Sequence, residues 1–389
     1  MSRTRKFLMG LLVAAMVLGG TEVGAQLLLG APITPPVASI GSLTVELQGD
    51  TGRLVNKMNP TLNEEFARDD RARLLVLGGS SVKHMSPDRR VNFPTHLAQH
   101  LDAQVINAGA PGATTSDLAM LWPELQQLEP AAVVIYAGHN DFSRAIFTGR
   151  VPIHGMARMQ LAALLSRSWI ATWIDPRAED TLIGTQDKRM RASGPMPVPA
   201  EEVLEAYAEG LDRLLEAIDV PVVLSTLGRN FDAAPEGVLA PPGDEDCWDF
   251  VTGLPVDSRD VREELITQVE RTCAEEQALV WWYRAHLAQM EGRHEEAMRA
   301  WHRSLELDPV PLRAPVASDA VLRAKADEHG VALVDLDQEL GSLMPGSMFL
   351  DTLHPSEEGA RRIAEAMLPA VREALGESAP TSRPGPRPR

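Results

Sequence analysis

A serine hydroxyl works as a nucleophile only where a base can take its proton and N–H donors can meet the oxyanion that its attack creates. Ser80 and Ser81 occupy such a place. The short apolar run Leu74-Leu75-Val76-Leu77 ends in Gly78-Gly79, two residues that let the backbone turn sharply and present the next hydroxyl. Two further apolar runs end in residues that can donate to an oxyanion: Asn107-Ala108-Gly109, where a glycine N–H can approach closely, and Gly138-His139-Asn140-Asp141, where an asparagine amide can reach out. Near the C-terminal end, Asp351-Thr352-Leu353-His354-Pro355 sets a carboxylate three residues before an imidazole. On one turn such a carboxylate holds the ring's tautomer and stabilises its protonated form. Taken singly, each cluster also has a plain structural reading, as a glycine turn, a loop, or the capping turn of a following helix.

Other chemistries are not supported. Ser80-Ser81-Val82-Lys83 has the Ser-x-x-Lys spacing of penicillin-recognising enzymes, without their Ser-Asp-Asn or Lys-Thr-Gly partners. Val82 stands where a Gly-x-Ser-x-Gly elbow needs its second glycine. No phosphate-binding glycine loop and no His-Glu-x-x-His occurs, so neither cofactor nor metal is implied. His84, His96, His100, His154, His286, His294, His302 and His329 form no ligand grouping, and His139 is read as orienting Asn140 or merely packing.

The elements that must position these groups follow from the hydrophobic pattern. Five short apolar runs suit buried parallel strands: Arg73–Gly79, Gln104–Gly109, Ala131–Gly138, Val220–Leu227 and Val331–Asp337. Helical patterns separate them, so the expected fold is α/β with a doubly wound parallel sheet, whose ligands sit at the carboxyl ends of the strands. The uneven spacing requires insertions: an irregular cap at 142–200 with Trp169 and Trp173, and a segment at 232–315 that is loop-like to 256 and helical over 257–308. Within it, Trp281, Ala285, Gly292, Ala297, Trp301 and Pro309 fall at the spacing of a tetratricopeptide repeat. One repeat cannot bury its own face, so Trp281 and Trp301 must pack on the main domain or on a protein partner.

The four polar clusters occur in the order Ser, Gly, Asn, Asp-His, and that order resembles the SGNH (GDSL-type) hydrolase family. The resemblance covers residues 73–141 and 331–370. It implies a flavodoxin-like sheet of about five strands, with Ser80 as nucleophile, Ser80, Gly109 and Asn140 as the oxyanion hole, His354 as base and Asp351 as its orienting partner. Gly79 departs from the pattern by replacing the aspartate of Gly-Asp-Ser.

The ends of the chain bear on location. Arg3, Arg5 and Lys6 precede Phe7 to Gly20, 14 residues without a charge, followed by the small residues Val23-Gly24-Ala25. This is the pattern of an export signal, and because apolar character resumes at Leu27-Leu28-Leu29, residues 1–31 read either as a cleaved signal or as a membrane anchor. Residues 32–72 read as a membrane-proximal lead-in, 73–378 as the hydrolase domain and 379–389 as a disordered Pro/Arg tail. The only two cysteines, Cys247 and Cys273, share one insertion and are candidates for a disulfide in an oxidising compartment. A net charge of −17 argues against a nucleic-acid partner.

These readings converge on a periplasmic or surface esterase of acyl esters, with O-acetyl esters of cell-envelope carbohydrate as a natural substrate. Two alternatives stay open at this level. The same site could transfer an acyl group to a sugar, or the chain could be a membrane-tethered interaction protein with a vestigial site.

Overall fold

The computed structural model describes residues 43–56, 60–84, 88–148, 200–235, 245–254, 262–273, 276–340 and 346–377. Residues 1–31, expected to be a signal or anchor, most of the 142–200 segment expected to be a cap, and the C-terminal tail lie outside the described residues. Among the described residues, no helix is long and apolar enough to cross a membrane.

In chain order the strands are β1 (Leu43–Gln48), β2 (Thr51–Asn56), β3 (Glu64–Ala67), β4 (Arg73–Gly78), β5 (Gln104–Asn107), β6 (Ala132–Tyr136), β7 (Val222–Ser225) and β8 (Ala332–Val334). The helices are α1 (Phe93–Leu97), α2 (Thr115–Leu125), α3 (His139–Thr148), α4 (Ala200–Ala217), α5 (Glu245–Thr252), α6 (Glu263–Thr272), α7 (Ala278–Met290), α8 (His294–Leu307), α9 (Ala317–His329), α10 (Leu336–Leu340) and α11 (Glu357–Ala374).

The parallel sheet runs β5-β4-β6-β7-β8, and its strands lie within the five apolar runs. Numbered among themselves, those strands stand in the order 2-1-3-4-5, with the first in chain order flanked by the second and third. The residues Leu74–Leu77 and Ala132–Ile135 are fully buried, as strands covered by helices on both faces must be. Helix α1 packs against α11, and α4 against both α2 and α9. Helix α2 is started by a reciprocal cap: Thr114 Oγ1 accepts from the Asp117 N–H at 3.2 Å, and Asp117 Oδ2 accepts from the Thr114 N–H at 3.0 Å.

Part of the lead-in, for which the sequence predicts no element, is folded. Strands β1, β2 and β3 form an antiparallel sheet in that order, whose first hairpin turns at Gly49-Asp50 with Gln48 paired to Thr51. It is docked on the main domain, where Glu124 Oε1 in α2 accepts from the Val45 N–H at 2.7 Å.

The insertion after β7 has its own apolar core, distinct from that of the sheet. The stretch expected to be loop contains α5, and Cys247 in α5 is joined to Cys273 at the end of α6 by a disulfide. Helices α7 and α8 form an antiparallel hairpin around Trp282 and Trp301, both buried. Trp281 is the correction: it stays half-buried at the hairpin surface, its indole N–H on Glu276 at 2.5 Å and the Arg284 guanidinium 4.8 Å from its ring. One residue is about 100° of helix, which carries neighbouring tryptophans to different faces.

The loop leaving β7 is held by a buried ion pair. Arg229 Nη1 lies 2.5 Å from Asp319 Oδ2 in α9, with the side chains of both about 1% exposed. The remaining guanidinium hydrogens go to the Leu227, Ala314 and Pro315 carbonyls and to Ser318 Oγ. Removing one partner strands the other charge in the core, so Asp319→Ala should cost about 3–5 kcal/mol in chemical denaturation.

Candidate active site

Ser80 follows β4 in a tight turn, in which Gly79 O accepts from the N–H groups of Val82 and Lys83 at 3.2 and 3.1 Å. The Asp351–His354 turn lies between β8 and α11, and it is closed on itself. Asp351 Oδ1 accepts from the N–H groups of Leu353 and His354 at 2.9 and 2.8 Å, and the His354 carbonyl accepts from the Leu350 N–H at 2.8 Å. Helix α11 then starts on Ser356, whose Oγ accepts from the Gly359 N–H.

The structure brings Ser80, His354 and Asp351 into one chain. His354 Nδ1 lies 2.7 Å from Asp351 Oδ2 and Nε2 lies 2.8 Å from Ser80 Oγ. Burial raises the Asp351 carboxyl, but the hydrogen bonds from the His354 ring and from the two turn N–H groups outweigh it and hold the group well below the ordinary carboxylate value. An ionised carboxylate only accepts, so Nδ1 carries the ring proton, and Nε2 is the acceptor that faces the Ser80 hydroxyl.

Asn140, at the start of α3, stands over the nucleophile turn. A Cβ at Gly79 would lie 2.1 Å from its Nδ2, so the glycine that replaces the family's aspartate is the residue that makes room for the amide. Asn140 Nδ2 spends one hydrogen on the Ala113 carbonyl at 3.0 Å, and the amide's second hydrogen remains for a ligand.

Gly109 differs from its expected role. Its N–H is already satisfied by Asn107 Oδ1 at 3.1 Å, and a Cβ there would meet the backbone N of Lys83 at 2.9 Å. It is a packing glycine, where the end of β5 touches the turn after Ser80. Three residues on, Gly112 offers another backbone N–H. It has φ +81 with open space around it, and its neighbour Ala113 is the residue that Asn140 grips. The N–H groups of Ser80 and Gly112 carry no hydrogen bond among the described residues. The signal in the sequence was the dipeptide Pro111-Gly112, a turn former one turn beyond the strand end.

Lys83 does not serve Ser80. Its Nζ is bound by Glu64 Oε2 of β3 at 3.1 Å and by the Asn107 carbonyl at 3.2 Å, while Asn107 Nδ2 donates to the Val82 carbonyl at 3.0 Å. The antiparallel sheet therefore fastens the turn that carries the nucleophile. Burial lowers the Lys83 ammonium from its ordinary value, against the opposing pull of Glu64. Two further imidazoles surround the base. His84 meets the His354 ring edge-on, 4.9 Å between centroids, and His139 lies buried beside Asn140, with its Nε2 unpartnered among the described residues. Among those residues no group of His, Cys, Asp or Glu could hold a metal ion.

A serine, an imidazole and a carboxylate in hydrogen-bonded series, at the carboxyl ends of a doubly wound sheet, are the arrangement of a serine hydrolase. The family model of the GDSL-like lipase/acylhydrolases matches residues 76–302, more than half of the chain, and the protein belongs to that family. It is a hydrolase acting on ester bonds. Asp351 and His354 lie beyond the matched residues, so their approach to Ser80 is a finding of the structure. Among solved structures, the chain is similar to the acetyl xylan esterase AlAXEase, at 13% identity over 77% of this chain and 99% of that one, with a TM-score of 0.38. It is also similar to TesA, at 17% identity over 78% and 99%, with a TM-score of 0.34. A third is Axe2, an acetylxylan esterase from Geobacillus stearothermophilus, at 14% identity over 80% and 97%, with a TM-score of 0.35. No curated protein sequence matches the chain.

The buried His139 sets a pH dependence of stability. Burial, reinforced by the Arg229 charge and the His354 ring, lowers its pKa to about 3. The folded protein thus keeps this ring neutral while the unfolded chain takes up a proton below about 6.5. Its contribution is complete above about 6.5 and is lost as the pH falls toward 3, by up to about 1.4 kcal/mol per unit. Urea denaturation at pH 7.5 and pH 5 should show this loss in the wild type, and a smaller loss in His139→Phe.

Proposed function

We propose that this protein is an exported serine esterase that cleaves O-acyl esters through an acyl-enzyme on Ser80, with O-acetylated cell-envelope carbohydrate as its substrate class. The observation that carries the mechanism is the unbroken chain from Ser80 Oγ through His354 to Asp351. Ser80 Oγ attacks the ester carbonyl as His354 Nε2 takes its proton, and Asp351 stabilises the imidazolium that forms. The oxyanion is met by the N–H groups of Ser80 and Gly112 and by Asn140 Nδ2. His354 returns the proton to the leaving alkoxide, which departs as the alcohol. Water then attacks the acyl-enzyme with His354 again as base, releasing the acid and restoring the serine.

Export is supported by the basic N-terminus followed by an apolar run, and by the pairing of Cys247 with Cys273, since such pairs persist in oxidising compartments. The carbohydrate substrate class is supported by that location alone.

A fluorophosphonate should label Ser80, and neither Ser80→Ala nor His354→Ala should label or turn over, with folding intact; Ser81→Ala should remain active. Retained activity in Ser80→Ala would refute the nucleophile. Asn140→Ala should lower kcat by about 10²–10³ with little change in KM, as for loss of one oxyanion donor. Acetate release from O-acetylated glycans should exceed that of longer acyl groups, and acyl transfer to an added sugar would instead place the chain among transferases.

A further inference from the structure

We propose that Asn230 is a positioning residue that fastens the Asp351–His354 turn to the helical insertion, so that hairpin α7–α8 sets the alignment of the base. This rests on the reading of Ser80, His354 and Asp351 given above.

The carboxylate that orients His354 is weakly sheltered: the Asp351 side chain is 51% exposed, and the two N–H groups it holds at Oδ1 belong to its own turn. The turn must therefore be fixed from outside. Asn230, in the loop after β7, does so across 121 residues of sequence, its Nδ2 donating to the Asp351 carbonyl at 2.8 Å. The amide cannot turn over without loss, because its Oδ1 accepts from the N–H groups of Asp232 and Ala233 at 3.1 and 3.3 Å.

The loop that carries Asn230 is anchored on both sides. Before it comes Arg229, paired with Asp319. After it comes Phe231, stacked on Trp301 with centroids 5.3 Å apart, its carbonyl accepting from Trp282 Nε1 at 3.1 Å. The Asn230 carbonyl itself accepts from the buried Arg313 at 3.2 Å. A path of direct contacts thus runs from the hairpin core through Phe231 and Asn230 to the residue that holds the catalytic imidazole.

Asn230→Asp isolates the link. The aspartate retains an acceptor for Asp232 and Ala233, so the loop keeps its turn, but it has no hydrogen to give the Asp351 carbonyl. With the full-length chain we expect kcat and the rate of fluorophosphonate labelling to fall about tenfold or more, because a misplacement of the order of 1 Å is enough for such losses. KM should stay near wild type, with the assays run well below the melting temperature of the variant, which the buried carboxylate should lower. Trp282→Phe, which removes the indole N–H from Phe231 together with the five-membered ring packed against His286, should lower the labelling rate more modestly, and should have no further effect on that rate in the Asn230→Asp background if both act through one path. Equal labelling and kcat in wild type and Asn230→Asp would overturn the proposal, as would a change in KM alone or fully independent effects of the two substitutions. Failure of the wild type to label at Ser80 would instead overturn the reading of the site, and this inference with it.

Discussion

The hydrogen bond between Ser80 and His354 joins residues 274 apart in sequence, and most of the architecture can be derived from what it demands. Ser80 follows β4, which the strand order places near one edge of the sheet, whereas the Asp351–His354 turn follows β8 at the other edge. Three strand spacings separate them, about 14 Å at 4.8 Å each. The Asp351–His354 turn must therefore lie back across the sheet from β8 for its imidazole to reach Ser80. A parallel sheet fixes where each strand ends, but it does not fix the path of a connection that long.

The electrostatics of the site follow the same division. Inside the sheet layers the polar groups are held by fully buried partners, as with Arg229 and Asp319, or are kept neutral, as with His139. At the rim, Asp351 remains ionised in a half-exposed position because its own turn supplies the donors. An anion stabilised locally in this way needs no deep burial. It does need its backbone held still, since the geometry that keeps the proton on Nδ1 is the geometry that leaves Nε2 free to accept from Ser80.

How much of this was legible in the sequence depended on burial and on locality. The five strands of the parallel sheet read cleanly because strands such as Leu74–Leu77 are apolar on both faces and bounded by glycine. Ser80, Asn140, Asp351 and His354 were legible through their order along the chain, since each residue type taken singly is ordinary turn chemistry. The sheet of 43–67 was missed: its strands are short, half-exposed and mixed in polarity, and only Gly49-Asp50 marked the hairpin. Gly109 stands out in the sequence because nearness to the strand end is visible there, whereas the Asn107 side chain that occupies the Gly109 N–H is not. The repeat pattern points to Trp281, whereas its neighbour Trp282 is the one that turns inward. Asn230 had no signal at all, since a single asparagine in a loop takes its meaning from a carbonyl 121 residues away.

The elements added around the parallel sheet dock at the two places where the sheet leaves the site underdetermined. The antiparallel sheet reaches through Glu64 to Lys83 and Asn107, behind the turn that presents Ser80. The helical insertion reaches through Phe231 and Asn230 to Asp351, behind the turn that presents His354. Neither element supplies a reacting atom. Both constrain backbone on either side of a 2.8 Å contact whose two halves arrive from opposite edges of the fold. Because proton transfer from serine to imidazole tolerates little error in that distance, rigidity on one side alone would not suffice, and the fold is buttressed on both.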